Sequence, residues 1–123
     1  MAVKRIIANI ATPYPDAARS FYCDILGLEA VMDHGWMITF AAPAIDGRPQ
    51  VSFASEGGSG TAVPDLSVEV DNFEEVQQRA ETAGLEVEYG PTDEPWGVRR
   101  FYVRDPFGRL INVLSHGHNA VVD

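Results

Sequence analysis

Pro95-Trp96-Gly97-Val98-Arg99-Arg100-Phe101-Tyr102-Val103-Arg104-Asp105-Pro106-Phe107-Gly108-Arg109-Leu110-Ile111-Asn112-Val113-Leu114-Ser115-His116 is the stretch whose reading decides the fold. Alternating apolar and polar residues lead into Asp105-Pro106-Phe107-Gly108 and out of it again. Pro favours the second position of a type I turn and Gly the fourth, so the stretch reads as a β-hairpin. Asn112 falls in the middle of its second strand, and function depends on the face that strand presents.

Upstream of the hairpin the chain shows one pattern twice. Ile6 to Ala11 reads as a strand with Ile6, Ala8 and Ile10 on one face and Ile7, Asn9 and Ala11 on the other. Pro15-Asp16 suits a first helical turn. Ala18, Phe21, Tyr22 and Ile25 follow at helical spacing, and Gly27 sits where a helix-ending glycine belongs. Leu28 to Met32, Trp36 to Ala41 and Gln50 to Ala54 read as strands, with Asp33-His34-Gly35 and Asp46-Gly47 at the turns. Glu56 to Thr61 is a Gly-rich joint.

The pattern then restarts. Leu66, Val68 and Val70 alternate with Asp65, Ser67 and Glu69. Asn72 precedes a helix whose stripe is Phe73, Val76, Ala80 and Ala83, and Glu75 gives it the look of a capping box. Gly84-Leu85-Glu86 repeats Gly27-Leu28-Glu29, and Gly108-Arg109 repeats Gly47-Arg48. Each half therefore reads βαβββ, and the order of elements points to an internal duplication. Module one covers about 4–56, the joint 57–62 and module two about 63–116.

A chain of 123 residues with 46% hydrophobic content suits a single α+β domain of this kind. One module cannot bury both faces of its sheet. Two side by side are expected to form a curved mixed sheet with helices outside and a concave groove inside. Alternation then assigns Ile7, Asn9, Gln50, Ser52, Asp65, Ser67, Glu69, Tyr102 and Asn112 to the groove.

The net charge of −9, with no basic cluster, argues against nucleic acid or an anionic membrane as partner. The N-terminal apolar run is short and broken by Asn9 and Pro13, which fits neither a signal peptide nor a span; a cytoplasmic protein is expected. The single cysteine, Cys23, rules out an intramolecular disulfide or a Cys-based metal cage and reads as a packing thiol.

The duplicated βαβββ order, Phe21-Tyr22 before Leu26-Gly27-Leu28, and Asp105-Pro106-Phe107-Gly108 leading to Asn112 resemble the vicinal oxygen chelate superfamily. That superfamily holds glyoxalase I, extradiol dioxygenases, fosfomycin-resistance enzymes and bleomycin-resistance proteins. The likeness runs from about Ile6 to Ser115 and implies a cup-shaped sheet and a homodimer. Metal-using members carry a His early in the first strand, a His opening the fifth and a Glu in the last. Here those positions fall on Ile7, Asp65 and Asn112, and a further Glu position falls near Gln50 or Ser52. Divalent metals in catalytic sites take imidazole or carboxylate donors, so no catalytic metal is expected.

The remaining histidines do not repair that set: His34 reads as a solvated turn residue, and His116 and His118 lie near the C-terminus. Two functions follow. The first is a metal-free protein resembling the bleomycin-resistance branch. It would bind a small organic molecule, cationic or aromatic, between Trp36, Trp96, Phe40 and Tyr102, oriented by Asn9, Gln50, Ser52, Asp65, Ser67 and Asn112. The second is a metal-dependent glyoxalase-like lyase or extradiol dioxygenase with an atypical site built on Asp65. Trp36 and Phe40 also fit plain core packing. Arg99 and Arg100 point to opposite faces, so that one is placed toward the groove or a dimer contact and the other toward solvent, with a solvated face the plainer reading for each. Glu69, at its strand end, reads as solvated; buried, it would be a candidate general base.

Overall fold

The computed structural model describes residues 3–43 and 49–116. The Asp46-Gly47 turn, Arg48 of the first Gly-Arg pair and His118 lie outside them. In chain order the elements are β1 (Val3–Ala11), a 3-10 turn (Pro15–Ala18) running into α1 (Arg19–Tyr22), β2 (Glu29–Asp33), β3 (Met37–Ala41) and β4 (Gln50–Ala54). Then follow β5 (Leu66–Val70), α2 (Phe73–Thr82), β6 (Tyr89–Asp93), β7 (Arg99–Arg104) and β8 (Leu110–Ser115). The fold class is α+β, two βαβββ modules in tandem.

The modules have one topology. In the first, β1 pairs parallel to β4, β4 antiparallel to β3, and β3 antiparallel to β2. In the second, β5 pairs parallel to β8, β8 antiparallel to β7, and β7 antiparallel to β6. Two compact units result, Ile7–Val63 and the described parts of Met1–Ile6 with Pro64–Asp123. The first four residues of β1 thus belong with the second module. Sequence alternation starts this strand only at Ile6, because Lys4 and Arg5 break its apolar face.

In module two, α2 covers one face of the sheet. Val70, Phe73, Ala80, Phe101, Val103 and Val113 form its core, with Phe73 edge-on to Phe101 at 5.4 Å. Burial of such side chains, at about 25 cal/mol per Å², is the main force holding the helix down. Asn72 does not cap the backbone of α2; its Nδ2 donates instead to Glu75 Oε1 at 3.1 Å. Glu75 is thereby held by Asn72 and Arg79 below its ordinary pKa. Gly90, in β6, has φ +79°, and a Cβ there would stand 2.5 Å from the Arg100 carbonyl oxygen. Only glycine lets β6 approach β7 so closely.

In module one, Ile38, Phe40 and Phe53 form the core, with Tyr22, Cys23, Leu28 and Val51 packed against it. Phe40 therefore belongs to this core and not to a ligand face. The expected helix from Ala18 to Ile25 is corrected to a 3-10 turn and one α turn, after which Leu26 N bonds Phe21 O at 3.1 Å, a wider ring than α geometry allows. The apolar stripe consequently breaks: Tyr22 packs tilted against Phe53, ring centroids 4.8 Å apart, while Phe21 and Ile25 are 52% and 69% exposed. Gly27 ends the segment at φ +79°, its N–H bonded to Cys23 O, as a C′ glycine does. Among the described residues no helix is long and apolar enough to cross a membrane.

Candidate functional site

The turn named first sets the geometry of module two. Asp105 Oδ1 accepts the Phe107 and Arg109 N–H groups, each at 2.9 Å, and Gly108 takes φ +82°. This fixes the β7–β8 register, which places Tyr102 opposite Asn112, while the parallel β5–β8 ladder places Ser67 opposite Asn112 on its other side. Ser67, Asn112 and Tyr102 thus lie in one row on the face opposite α2. Tyr89 of β6 extends the row beside Tyr102.

Asn112 is 6% exposed. Its Nδ2 donates to Ser67 Oγ at 3.1 Å, and its Oδ1, fully buried, has no partner. Leaving a buried carbonyl unsatisfied costs about 1–3 kcal/mol.

The next row holds charge. Arg100, expected to be solvated, is 3% exposed. Its Nε donates to the buried Glu94 Oε2 at 2.7 Å and its Nη1 to the Tyr102 hydroxyl at 3.0 Å. The Tyr89 hydroxyl donates to the same Glu94 oxygen at 2.8 Å. The guanidinium carbon lies 5.3, 5.1 and 5.0 Å from the rings of Tyr89, Trp96 and Tyr102. Three aromatic rings with a carboxylate are what an organic cation needs, and here Arg100 supplies that cation itself. Trp96, in the turn closed by Glu94 N to Val98 O at 2.7 Å, is part of this cage.

Glu69, also expected to be solvated, is 3% exposed. Its Oε1 lies 2.6 Å from Arg5 Nε and its Oε2 2.9 Å from His116 Nδ1. The strand end is not open because the opening of β1 and the residue after β8 both fold their side chains onto it.

Asp65 stands just before β5 and acts as a clamp. Its Oδ2 accepts the Leu110 N–H at 2.9 Å, its own N–H donates to Leu110 O at 2.8 Å, and Arg109 Nη1 is 3.7 Å from Oδ1.

The other residues singled out from the sequence lie in module one. Asn9 pairs with Ser52 across β1 and β4, and Thr39 pairs with Ser52 across β3 and β4. Thr39 Oγ1 and Ser52 Oγ are 2.7 Å apart and buried. Gln50 lies one step along, opposite Ala41. Ser52, not Gln50, is therefore the register counterpart of Asn112. Trp36 sits before β3 with its ring on His34 at 5.5 Å, so His34 is a stacked residue and not a simple solvated one. Ile7 is half-buried in β1.

The residues at the ligand positions do not fit a divalent ion. Ile7 has no donor atom, Asp65 is engaged by the Leu110 amide, and Asn112 offers a neutral amide oxygen. Among the described residues no three His, Cys, Asp or Glu side chains are grouped as a metal site.

Alternation made Tyr102, Ser67 and Asn112 legible as one face. It also put Arg100 and Glu69 on that face, a signal that their charge obscured. Nothing in Asp93-Glu94-Pro95 foretold that Glu94 would be buried beneath Arg100.

Paired βαβββ modules, each with its helix on one face and a polar row on the other, define the vicinal oxygen chelate class of folds. A family model of the Glyoxalase/Bleomycin resistance protein/Dioxygenase superfamily matches residues 6–113, and the chain belongs to that superfamily. No curated protein sequence matches it. Its fold is similar to that of a Legionella pneumophila protein described as NAD-dependent benzaldehyde dehydrogenase (TM-score 0.70, 15% identity, covering 90% of this chain and 98% of that one). It is also similar to methylmalonyl-CoA epimerase from Mycobacterium tuberculosis (TM-score 0.63, 16% identity, 98% and 91%). A third is the Mn(II)-bound glyoxalase from Novosphingobium aromaticivorans (TM-score 0.59, 22% identity, 93% and 38%).

Proposed function

We propose that this superfamily member binds a small organic molecule on the polar face of module two, without a catalytic metal. The observation that carries the reading is the buried, unpartnered Asn112 Oδ1. An acceptor without a donor costs stability, and a ligand N–H or O–H that reaches it as the side chains over it move aside recovers that cost. Ser67 fixes the amide plane through Nδ2, and Tyr102 walls the next position in the row.

The caged Arg100 narrows the ligand further. Because it already occupies the rings of Tyr89, Trp96 and Tyr102, the ligand is a neutral or aromatic donor-bearing molecule, not a cation held by those rings. Asn9, Gln50 and Ser52 are polar candidates on module one's own face. The protein is further proposed to be a cytoplasmic homodimer.

A thermal-shift screen tests the reading. Amides, phenols, aromatic amines and common metabolites are compared with Ni²⁺, Zn²⁺, Mn²⁺ and Fe²⁺, since a ligand that binds only the native state raises the melting temperature by mass action. The expected result is stabilisation by a donor-bearing organic compound, lost in Asn112→Leu. Stoichiometric metal binding that disappears in Asp65→Ala overturns it in favour of the metal-dependent lyase or dioxygenase.

A further inference from the structure

We infer that His116, oriented by Glu69, is a general base on module two, able to take a proton from a small neutral substrate or from a water beside it. This goes beyond binding at Asn112 and does not depend on it.

A carboxylate can be buried only with a counter-charge, and Arg5 Nε, 2.6 Å from Glu69 Oε1, provides one. Arg5 thus balances the Glu69 carboxylate without calling on His116. Glu69 Oε2 lies 2.9 Å from His116 Nδ1, and a carboxylate there calls for the tautomer with its proton on Nδ1. The lone pair then sits on Nε2. Glu69 is 4% exposed in its side chain and His116 48%, so the orienting group is dry and the base is open to solvent and solutes. A buried carboxylate on one nitrogen of a half-exposed imidazole is the arrangement of a base held in place by a third group. Arg100, across Leu114 on the same face, is spent on Glu94.

Hydrolysis of p-nitrophenyl acetate by the full-length chain is the probe. In that reaction His116 Nε2 takes a proton from water as the water oxygen bonds the acyl carbon. The acyl–oxygen bond breaks, p-nitrophenolate leaves with the electron pair, and the imidazolium returns its proton to solvent.

Positioned bases contribute about 10²–10⁴-fold, so His116→Gln is expected to lower the protein's rate at least about tenfold. Glu69→Gln keeps an acceptor for Nδ1–H but removes the charge, and is expected to lower the rate and shift the midpoint of its pH profile. His34→Gln is expected to retain the wild-type rate, and a normal solvent deuterium isotope effect is expected. A purely structural Glu69–His116 contact would change melting temperature without moving the pH midpoint, which overturns the proposal. So does an unchanged rate in His116→Gln, or trapping of an acyl-imidazole. The thermal-shift screen reads ligand binding separately, so each claim can fail without the other.

Discussion

The two modules share a topology and differ in the row of residues beneath their polar rungs. Asn9, Ser52 and Thr39 across β1, β4 and β3 correspond in register to Ser67, Asn112 and Tyr102 across β5, β8 and β7. One step along, module one has Ala11, Ala54 and Met37 where module two has Glu69, Leu114 and Arg100. The hydroxyl pair in module one satisfies itself and can do little else. In module two each buried charge recruits a counter-group from beyond its strand, and the central amide retains a spare acceptor. Both copies thus keep an apolar core, and the buried charges lie in one.

The comparison rests first on equivalent cores. Phe40→Ala and Phe101→Ala both empty fully buried ring sites, and each is expected to cost about 3–5 kcal/mol in urea unfolding. Markedly unequal losses would show that one module carries the stability of both.

Next in size, Arg100→Met gives module two the residue that module one has in register, and strands Glu94. Breaking a buried pair costs about 3–5 kcal/mol, so a loss near 3 kcal/mol is expected. Adding Glu94→Gln is expected to return part of it in a double-mutant cycle; a purely additive result would sever the two residues.

In module one, Thr39→Val leaves Ser52 Oγ buried without its neighbour and is expected to cost about 1–2 kcal/mol by the same measurement. Asn112→Leu gives up one hydrogen bond but also removes an unsatisfied acceptor, so its stability is expected to stay within about 1 kcal/mol of wild type. Binding of whichever compound the thermal-shift screen identifies is expected to vanish with it.

The smallest effect is acid-dependent. The amide of Asn72, and then Arg79, lower the pKa of Glu75 in the folded chain. That stabilisation is present above the unfolded-state pKa and is lost as pH falls through the folded one. Glu75→Gln should lower the melting temperature slightly near neutrality, and the difference should shrink as pH falls through the lowered pKa of the folded chain and vanish below it. A difference that persists in acid would assign the effect to helix packing.

Much of this was legible in the sequence. Period-two alternation in Leu66 to Val70 and in the terminal hairpin gave both strands and faces, because one side of each strand is buried under a helix. The duplicated Gly-Leu-Glu marked the modules, and Asp105 to Gly108 fixed the register that puts Asn112 between Ser67 and Tyr102. What stayed hidden is long-range pairing. Glu69 looks solvated until Arg5 and His116, far from it in sequence, are seen on its two oxygens. Arg100 looks solvated until Glu94 and three rings surround it. The α1 segment misled for another reason: helical spacing persists to Ile25, but after Tyr22 the regular ladder gives way to turns that mix i→i−4 with wider i→i−5 bonds, so a short helix scans as a longer one.

The division of β1 between the two units has a consequence for dissection. Severing the chain in the Gly-rich joint does not separate the repeats, because the piece beginning at Pro64 lacks the strand residues that join it and the guanidinium that neutralises Glu69. Such a half carries a buried carboxylate without the Arg5 guanidinium that the whole chain sets against it. Each repeat is a unit of descent, but the second cannot be obtained as an independent fragment by cutting where the descent shows.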